Sequence, residues 1–140
     1  MYLKSEMPKG NFILRSANPA SSLQFSDKDL HYFVVTVETP SIQASKKIST
    51  YHYNQTDGFI EFFEDLAERQ KPWSDIKLWE PLENDMSLTA TCSSVGHFTI
   101  KVVLKDSYAE ADSWSLECAL VFDFGMLTSF ASGAKKFYGL

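Results

Sequence analysis

The spacing of apolar residues along the chain switches between a period of two, typical of strands, and a period near 3.6, typical of helices. The first third of the chain predicts four strands, at residues 12–14, 23–25, 31–37 and 42–48. The third strand ends at Thr39-Pro40, because proline cannot continue a strand ladder. The fourth segment is therefore expected to return beside the third as a hairpin.

The segment after residue 58 predicts an amphipathic helix, since its apolar residues recur at spacings of three and four. These residues are Phe59, Phe62, Phe63, Leu66 and Ala67. Acidic residues occupy the opposite face of this helix. Thr56 or Asp57 is the expected N-cap, and Pro72 prevents the helix from continuing past Lys71.

The second half of the chain predicts three more strands and a closing helix. Residues 73–79 are expected to form a connection that contains two tryptophans. Apolar and polar residues then alternate over residues 86–92, 98–104 and 114–122, and a helical pattern runs from Met126 to Tyr138. The order of strands, helix, strands, helix favours an α+β class with antiparallel sheet, and residues 1–140 are expected to form a single domain.

The composition adds a large aromatic content to this pattern. Eleven Phe, six Tyr and three Trp make up 14% of the 140 residues. That much ring area can fill a sizeable core, which argues against intrinsic disorder. An apolar run of the length that spans a membrane is absent from the sequence, and the first residues show no secretion signal, so a cytoplasmic location is expected.

The negative charge of the sequence is concentrated in one stretch. The whole chain carries a net charge of −5, while residues 57–85 hold nine acidic and three basic residues, a local charge of −6. A concentrated acidic surface attracts a basic partner and disfavours nonspecific binding to nucleic acid. The predicted partner-binding residues are Glu61, Glu64, Asp65, Glu68, Trp73, Asp75, Glu80 and Glu83. Trp73 is either an interface anchor or, with Trp79, part of the core beneath the sheet.

The residues that commonly carry chemistry do not form a recognised motif in this sequence. His31, His52 and His97 lack the spacing of metal ligands, and a nucleophile motif or glycine-rich phosphate loop is absent. Cys92 and Cys118 fall on the apolar phase of their strands, where a thiol behaves as a small hydrophobe. We therefore predict no catalytic residue, no metal site and no cofactor.

Residues 58–139 resemble a group of small uncharacterised bacterial domains with a spaced Trp, Leu-Glu and Gly-His pattern. The pattern consists here of Trp79-Glu80-Pro81-Leu82-Glu83, Gly96-His97-Phe98 and the Phe/Tyr-rich closing helix. The size and element order also look like immunity proteins of bacterial contact-dependent and polymorphic toxin systems, some of which resemble the Whirly fold. The chain lacks the Lys-Gly-Lys-Ala-type strand of Whirly DNA binders. That resemblance implies an acidic binding protein that neutralises a toxin by covering or distorting its active site.

The leading hypothesis is a non-catalytic, immunity-type inhibitor of a cognate basic, nuclease-like toxin domain, present as a monomer or weak dimer. The alternative is a small ligand-binding or enzymatic domain with a pocket between helix and sheet, whose polar groups would include the three histidines. A third hypothesis, binding of nucleic acid, is disfavoured because few basic residues accompany the candidate stacking rings. The candidate stacking rings are those of Tyr32, Tyr51 and Tyr53, and the accompanying basic residues are Lys46 and Lys47.

Overall fold

A computed structural model describes residues 10–18, 20–50, 58–69, 71–81, 83, 85–94, 96–106 and 112–140. The elements, in chain order, are β1 (Phe12–Arg15), β2 (Ser22–Ser26), β3 (Tyr32–Glu38), β4 (Gln43–Ser49), α1 (Phe59–Ala67), β5 (Lys77–Trp79), β6 (Met86–Ser94), β7 (His97–Asp106), β8 (Trp114–Asp123), a 3₁₀ turn (Phe124–Met126) and α2 (Leu127–Phe137). The predicted α+β class with antiparallel sheet is confirmed. No helix in the described part of the chain has the length and apolar character needed to cross a membrane.

The first four strands form one antiparallel sheet in which each strand pairs with the next along the chain. The predicted β3–β4 hairpin is confirmed, and Phe33 pairs with Ile48 across it. Alternate residues of β3 point inward, so Phe33, Val35 and Val37 are fully buried while the residues between them are half-buried. This is the period-two pattern of a sheet with one face on the core.

The second sheet repeats the same order with β5 to β8. Ile100 of β7 pairs with Ala90 of β6 and Leu120 of β8, which forms an inward-facing apolar row. The interpretation of residues 73–79 as a connection was wrong at its end, because β5 pairs there with β6. Its three residues are too few to show a period in sequence.

The first helix begins after Gly58, whose backbone φ of 79° lies in the left-handed region that favours glycine. The expected caps, Thr56 and Asp57, lie outside the described residues. The apolar stripe is confirmed, since Phe59, Phe63 and Leu66 are fully buried. The helix ends at Ala67, several residues before the limit that Pro72 imposes.

An aromatic cluster fills the space between the helices and the sheets. Phe59 lies at its centre, with seven rings within about 6.3 Å of its own ring. These rings belong to Phe12, Phe25, Phe33, Phe63, Trp79, Phe137 and Tyr138. They come from both sheets and both helices, so a single apolar cluster holds the elements together.

The two sheets also meet through polar contacts at their edges. The backbone N–H of Ala17 donates to the carbonyl of Val121 at 2.7 Å, and the Ser16 hydroxyl donates to the same carbonyl at 3.1 Å. At another point, the ammonium of Lys46 lies 3.7 Å from Asp85 and 3.9 Å from Asp106. Lys46 therefore joins the first sheet to the second.

Candidate protein-binding surface

The predicted acidic residues lie on the outer face of α1 and along the chain that follows it into β5. We call this region the α1–β5 surface, and it consists of Glu61, Glu64, Asp65, Glu68, Asp75, Ile76, Leu78, Glu80 and Glu83. The structure brings its two stretches together at Arg69, just beyond the end of α1. Both terminal nitrogens of Arg69 donate to the Asp75 carboxylate, at 3.0 and 3.2 Å.

Arg69 makes further contacts that fix this junction. Its guanidinium lies 3.5 Å from Asp65, one helical turn earlier, and stands over the ring of Trp73 at 5.3 Å. The hydrogen bonds from Arg69 are the largest cause that holds the pKa of Asp75 below its usual range. A planar guanidinium that binds a carboxylate through two nitrogens also fixes its direction, so the chain after α1 has a defined path.

Besides Arg69, two lysines neutralise acidic residues of the surface. Lys77 lies 2.6 Å from Asp65, and Lys135 of α2 lies 3.0 Å from Glu64. Glu64, Asp65 and Asp75 are therefore each matched by a cation. The surface is less negative than the local charge of −6 in the sequence indicates, because one of these cations comes from another part of the chain.

The remaining carboxylates of the surface face solvent. Glu61, Glu68, Glu80 and Glu83 are exposed. Among the described residues, no lysine or arginine lies within 4.0 Å of Glu68, Glu80 or Glu83. In the described part of the chain, these three side chains therefore carry negative charge that no internal cation matches.

Two exposed aliphatic side chains lie between the acidic residues of this surface. Ile76 is 64% exposed and Leu78 is 56% exposed, whereas Trp79 is buried. Residues two apart in an extended segment share one side, so Ile76 and Leu78 point the same way. Neither residue is among those predicted from the sequence. The buried phase of Trp79 is the signal that could have placed them outside.

Trp73 does not lie on the surface in the way an interface anchor would. Its side chain is 8% exposed, and its ring stacks on Phe124 at 5.8 Å with an angle of 12° between the planes. Phe98 lies 5.9 Å away on the core side. In this position Trp73 offers little contact area to a partner. Its ring instead faces the Arg69 guanidinium.

One described cysteine contacts a histidine, since the Cys92 thiol donates to the backbone carbonyl of His97 at 3.4 Å. Nε2 of His97 lies 3.0 Å from the Asp123 carboxylate at the exposed start of β7, His31 is exposed before β3, and His52 lies outside the described residues. In the portion of the chain that the structure covers, no group of three His, Cys, Asp or Glu side chains is arranged to hold a metal ion. Burial raises the pKa of the Cys118 thiol, which lowers its reactivity at neutral pH.

The geometry also bears on the two other hypotheses. The region between α1 and the sheets is packed with rings, of which Phe59 and Phe63 are fully buried. Lys46 points toward Asp85 and Asp106, and the ammonium of Lys47 lies over the Tyr32 ring at 4.1 Å. The described lysines of β4 are thus engaged within the protein. Tyr51 and Tyr53 lie outside the described residues.

The chain is therefore an α+β protein with two four-stranded sheets and an acidic face that is partly neutralised by lysine and arginine. The chain belongs to DUF6228, a family of unknown function, whose model matches residues 14–139. That span contains α1, α2 and the whole second sheet. No curated protein and no solved structure matches the chain.

Proposed function

We propose that this protein is a non-catalytic, immunity-type inhibitor that binds a basic toxin domain through the α1–β5 surface and covers its active site. The observation that carries the proposal is that the exposed Ile76 and Leu78 lie in the same segment as the exposed carboxylate of Glu80, and that Lys77 joins this segment to α1 through Asp65. Stable protein interfaces commonly combine an apolar centre with a charged rim. A nuclease-like toxin offers the complementary charge, because it must bind a polyanion.

The rim and the centre have different expected effects on binding. Glu68, Glu80 and Glu83 are exposed, so their charges would mainly raise the association rate and make it sensitive to salt. Ile76 and Leu78 would lose contact with water on docking, and their burial would slow dissociation. Together these contributions favour a protein partner over a small ligand.

The internal ion pairs support the same proposal by fixing the shape of the surface. Arg69 holds Asp75 in place, and Lys77 holds Asp65. A surface that is already ordered loses less conformational entropy when it binds. The paired acids thus act as supports, and Glu68, Glu80 and Glu83, which have no described lysine or arginine within 4.0 Å, are the groups offered to the partner.

We include a Whirly-like architecture and a cytoplasmic location in this proposal. Support for the architecture comes from the two four-stranded meanders, each followed by a helix. Nucleic acid is not the proposed ligand, since the net charge is −5.

The test is co-purification with the product of the adjacent upstream gene, followed by calorimetric measurement of the Kd. The informative variant combines Glu68→Lys with Glu80→Lys, and we expect it to weaken binding by about 1–2 kcal/mol. The matched control combines Glu38→Lys with Glu117→Lys, which makes the same charge change at exposed positions on the two sheets. Equal affinity of the two variants, or no binding by the wild-type protein, would contradict the proposal.

A further inference from the structure

The outer edge of β5 is an open sheet edge within the α1–β5 surface. β5 is the first strand of its sheet and pairs with β6 alone. Within the described chain, the backbone groups of Ile76, Lys77 and Leu78 form no hydrogen bond to an element other than β6. An antiparallel strand directs its N–H and C=O groups alternately to its two sides. Some of these groups therefore point away from β6 and are open to another extended chain.

Two of the other three sheet edges, those of β8 and β4, differ from β5. The edge of β8 is occupied at Val121, where Ser16 and Ala17 donate to its carbonyl. The edge strand β4 carries two adjacent lysines, Lys46 and Lys47, where β5 carries Lys77 alone, and cations on an edge strand oppose pairing with a further strand. β5 combines an open edge with exposed aliphatic side chains.

The charges around β5 specify the kind of strand that fits there. Glu80 directly follows β5, is exposed and has no described lysine or arginine within 4.0 Å, whereas the exposed carboxylate of Asp75 is already bound by Arg69. Lys77 is held by Asp65 at 2.6 Å, so its charge is already matched. An added strand that carries lysine or arginine would meet the Glu80 carboxylate at one end of the segment and the exposed aliphatic side chains of Ile76 and Leu78 beside it.

We infer that the β5 edge receives an extended, lysine- or arginine-rich segment of the partner, which adds a strand to the second sheet. Main-chain hydrogen bonds would supply affinity in this mode, and the side chains of Ile76 and Leu78 would supply selectivity. The inference rests on the proposed function for the identity of the partner, and it specifies how that partner is held.

The first probe is a synthetic peptide in which valine and lysine alternate, and the readout is amide hydrogen exchange followed by NMR. At saturating peptide we expect exchange at an outward-pointing amide of residues 76–78 to slow by about tenfold. Amides of β4, the cationic edge strand, are the internal reference and should not change. A peptide with glutamate in place of each lysine should leave residues 76–78 unchanged as well.

Two variants separate strand addition from simple charge attraction. Leu78→Lys places a cation on the edge and should abolish the protection at residues 76–78. Ile13→Lys is the control, because Ile13 is a 42% exposed aliphatic residue on the edge strand β1. The inference is wrong if the lysine peptide leaves residues 76–78 unprotected, if the glutamate peptide protects them equally, or if Leu78→Lys has no effect.

The product of the adjacent gene is the second probe, and it distinguishes this inference from the proposed function. If the product binds and binding weakens in the Glu68→Lys, Glu80→Lys variant, but exchange at residues 76–78 does not change, strand addition is wrong and the proposed function stands. If the lysine peptide protects residues 76–78 and the gene product does not bind, the edge does accept a basic strand. The toxin-inhibitor function is then wrong.

Discussion

The two faces of α1 differ in how far the rest of the protein contacts their side chains, by packing on the inner face and by ion pairing on the outer face. On the inner face, Phe59 and Phe63 are fully buried and surrounded by other rings. On the outer face, Asp65 is held by cations, while Glu68 has no described cation within 4.0 Å. The inner face thus accounts for the stability of the fold. The outer face retains the exposed charge of Glu68, which no described cation matches, and we propose that this charge is available to a partner.

The largest effect that this comparison predicts is on the inner face. Phe59→Ala should lower the free energy of unfolding by about 3–5 kcal/mol, because it leaves a cavity among rings from both sheets and both helices. Urea denaturation measures this loss. Phe62→Ala is the matched control, since Phe62 is 6% exposed and its described ring contact is with Phe63. Equal losses from the two substitutions would mean that Phe59 is not the centre of the core.

A smaller loss is expected from Gly133→Ala, where α2 crosses β1. A Cβ at Gly133 would lie 2.8 Å from two ring atoms of Phe12, and the neighbouring rings restrict movement of Phe12. We expect a loss of about 1–3 kcal/mol in the free energy of unfolding. Gly125→Ala is the control, because a Cβ there meets no atom within 4 Å. Adding Phe12→Leu should recover part of the loss, and complete additivity of the two changes would contradict the proposed clash.

The Arg69–Asp75 contact should make stability depend on pH. The pKa of Asp75 is lowered in the folded protein, mainly by the hydrogen bonds from Arg69. Its contribution is therefore present above the unfolded-state pKa and is lost as the pH falls through the folded-state pKa. The stability difference between wild type and Asp75→Asn, followed by urea denaturation, should shrink over that acidic range.

The control for this prediction is the same substitution in an Arg69→Ala background. Without the guanidinium, Asp75→Asn should change stability by a similar small amount at every pH of the series. A pH dependence of the same size in both backgrounds would show that Arg69 is not its cause.

The smallest effect on stability is expected from the outer face. Glu68→Lys with Glu80→Lys should change the free energy of unfolding by less than about 0.5 kcal/mol, because both side chains are exposed. Glu68 directly follows the last residue of α1, where a cation interacts favourably with the helix dipole. Thermal unfolding checks this prediction. A loss as large as that of Gly133→Ala would mean that these acids help to hold the fold.

The local elements follow largely from sequence, since periodicity depends on near neighbours. The stripe of α1 and the alternation of β3 and β7 match their burial in the structure. β5 was missed because three residues carry too little pattern. The division into two sheets of four strands also depends on pairings between strands, which a single sequence does not display.

The acidic surface shows the same limit more sharply. A count along the chain assigns −6 to residues 57–85, but Glu64 is matched by Lys135 from α2. Trp73 offered two interpretations, and its 8% exposure agrees with a core position. The exposure of Ile76 and Leu78 follows from the direction in which β5 runs, with Trp79 facing the core. Charge and exposure belong to the folded surface, and tertiary contacts decide them.

The most direct test of the account is the association rate of the adjacent gene's product, measured by stopped flow over a range of salt concentrations. For the wild-type protein we expect a rate that falls steeply as salt increases, because exposed carboxylates steer a basic partner. For the Glu68→Lys, Glu80→Lys variant we expect a rate several-fold lower at low salt and a shallower dependence, with the Glu38→Lys, Glu117→Lys control close to wild type. Identical rates and identical salt dependence for wild type and the first variant would contradict the account, and the outer face of α1 would then be only a solvated helix surface.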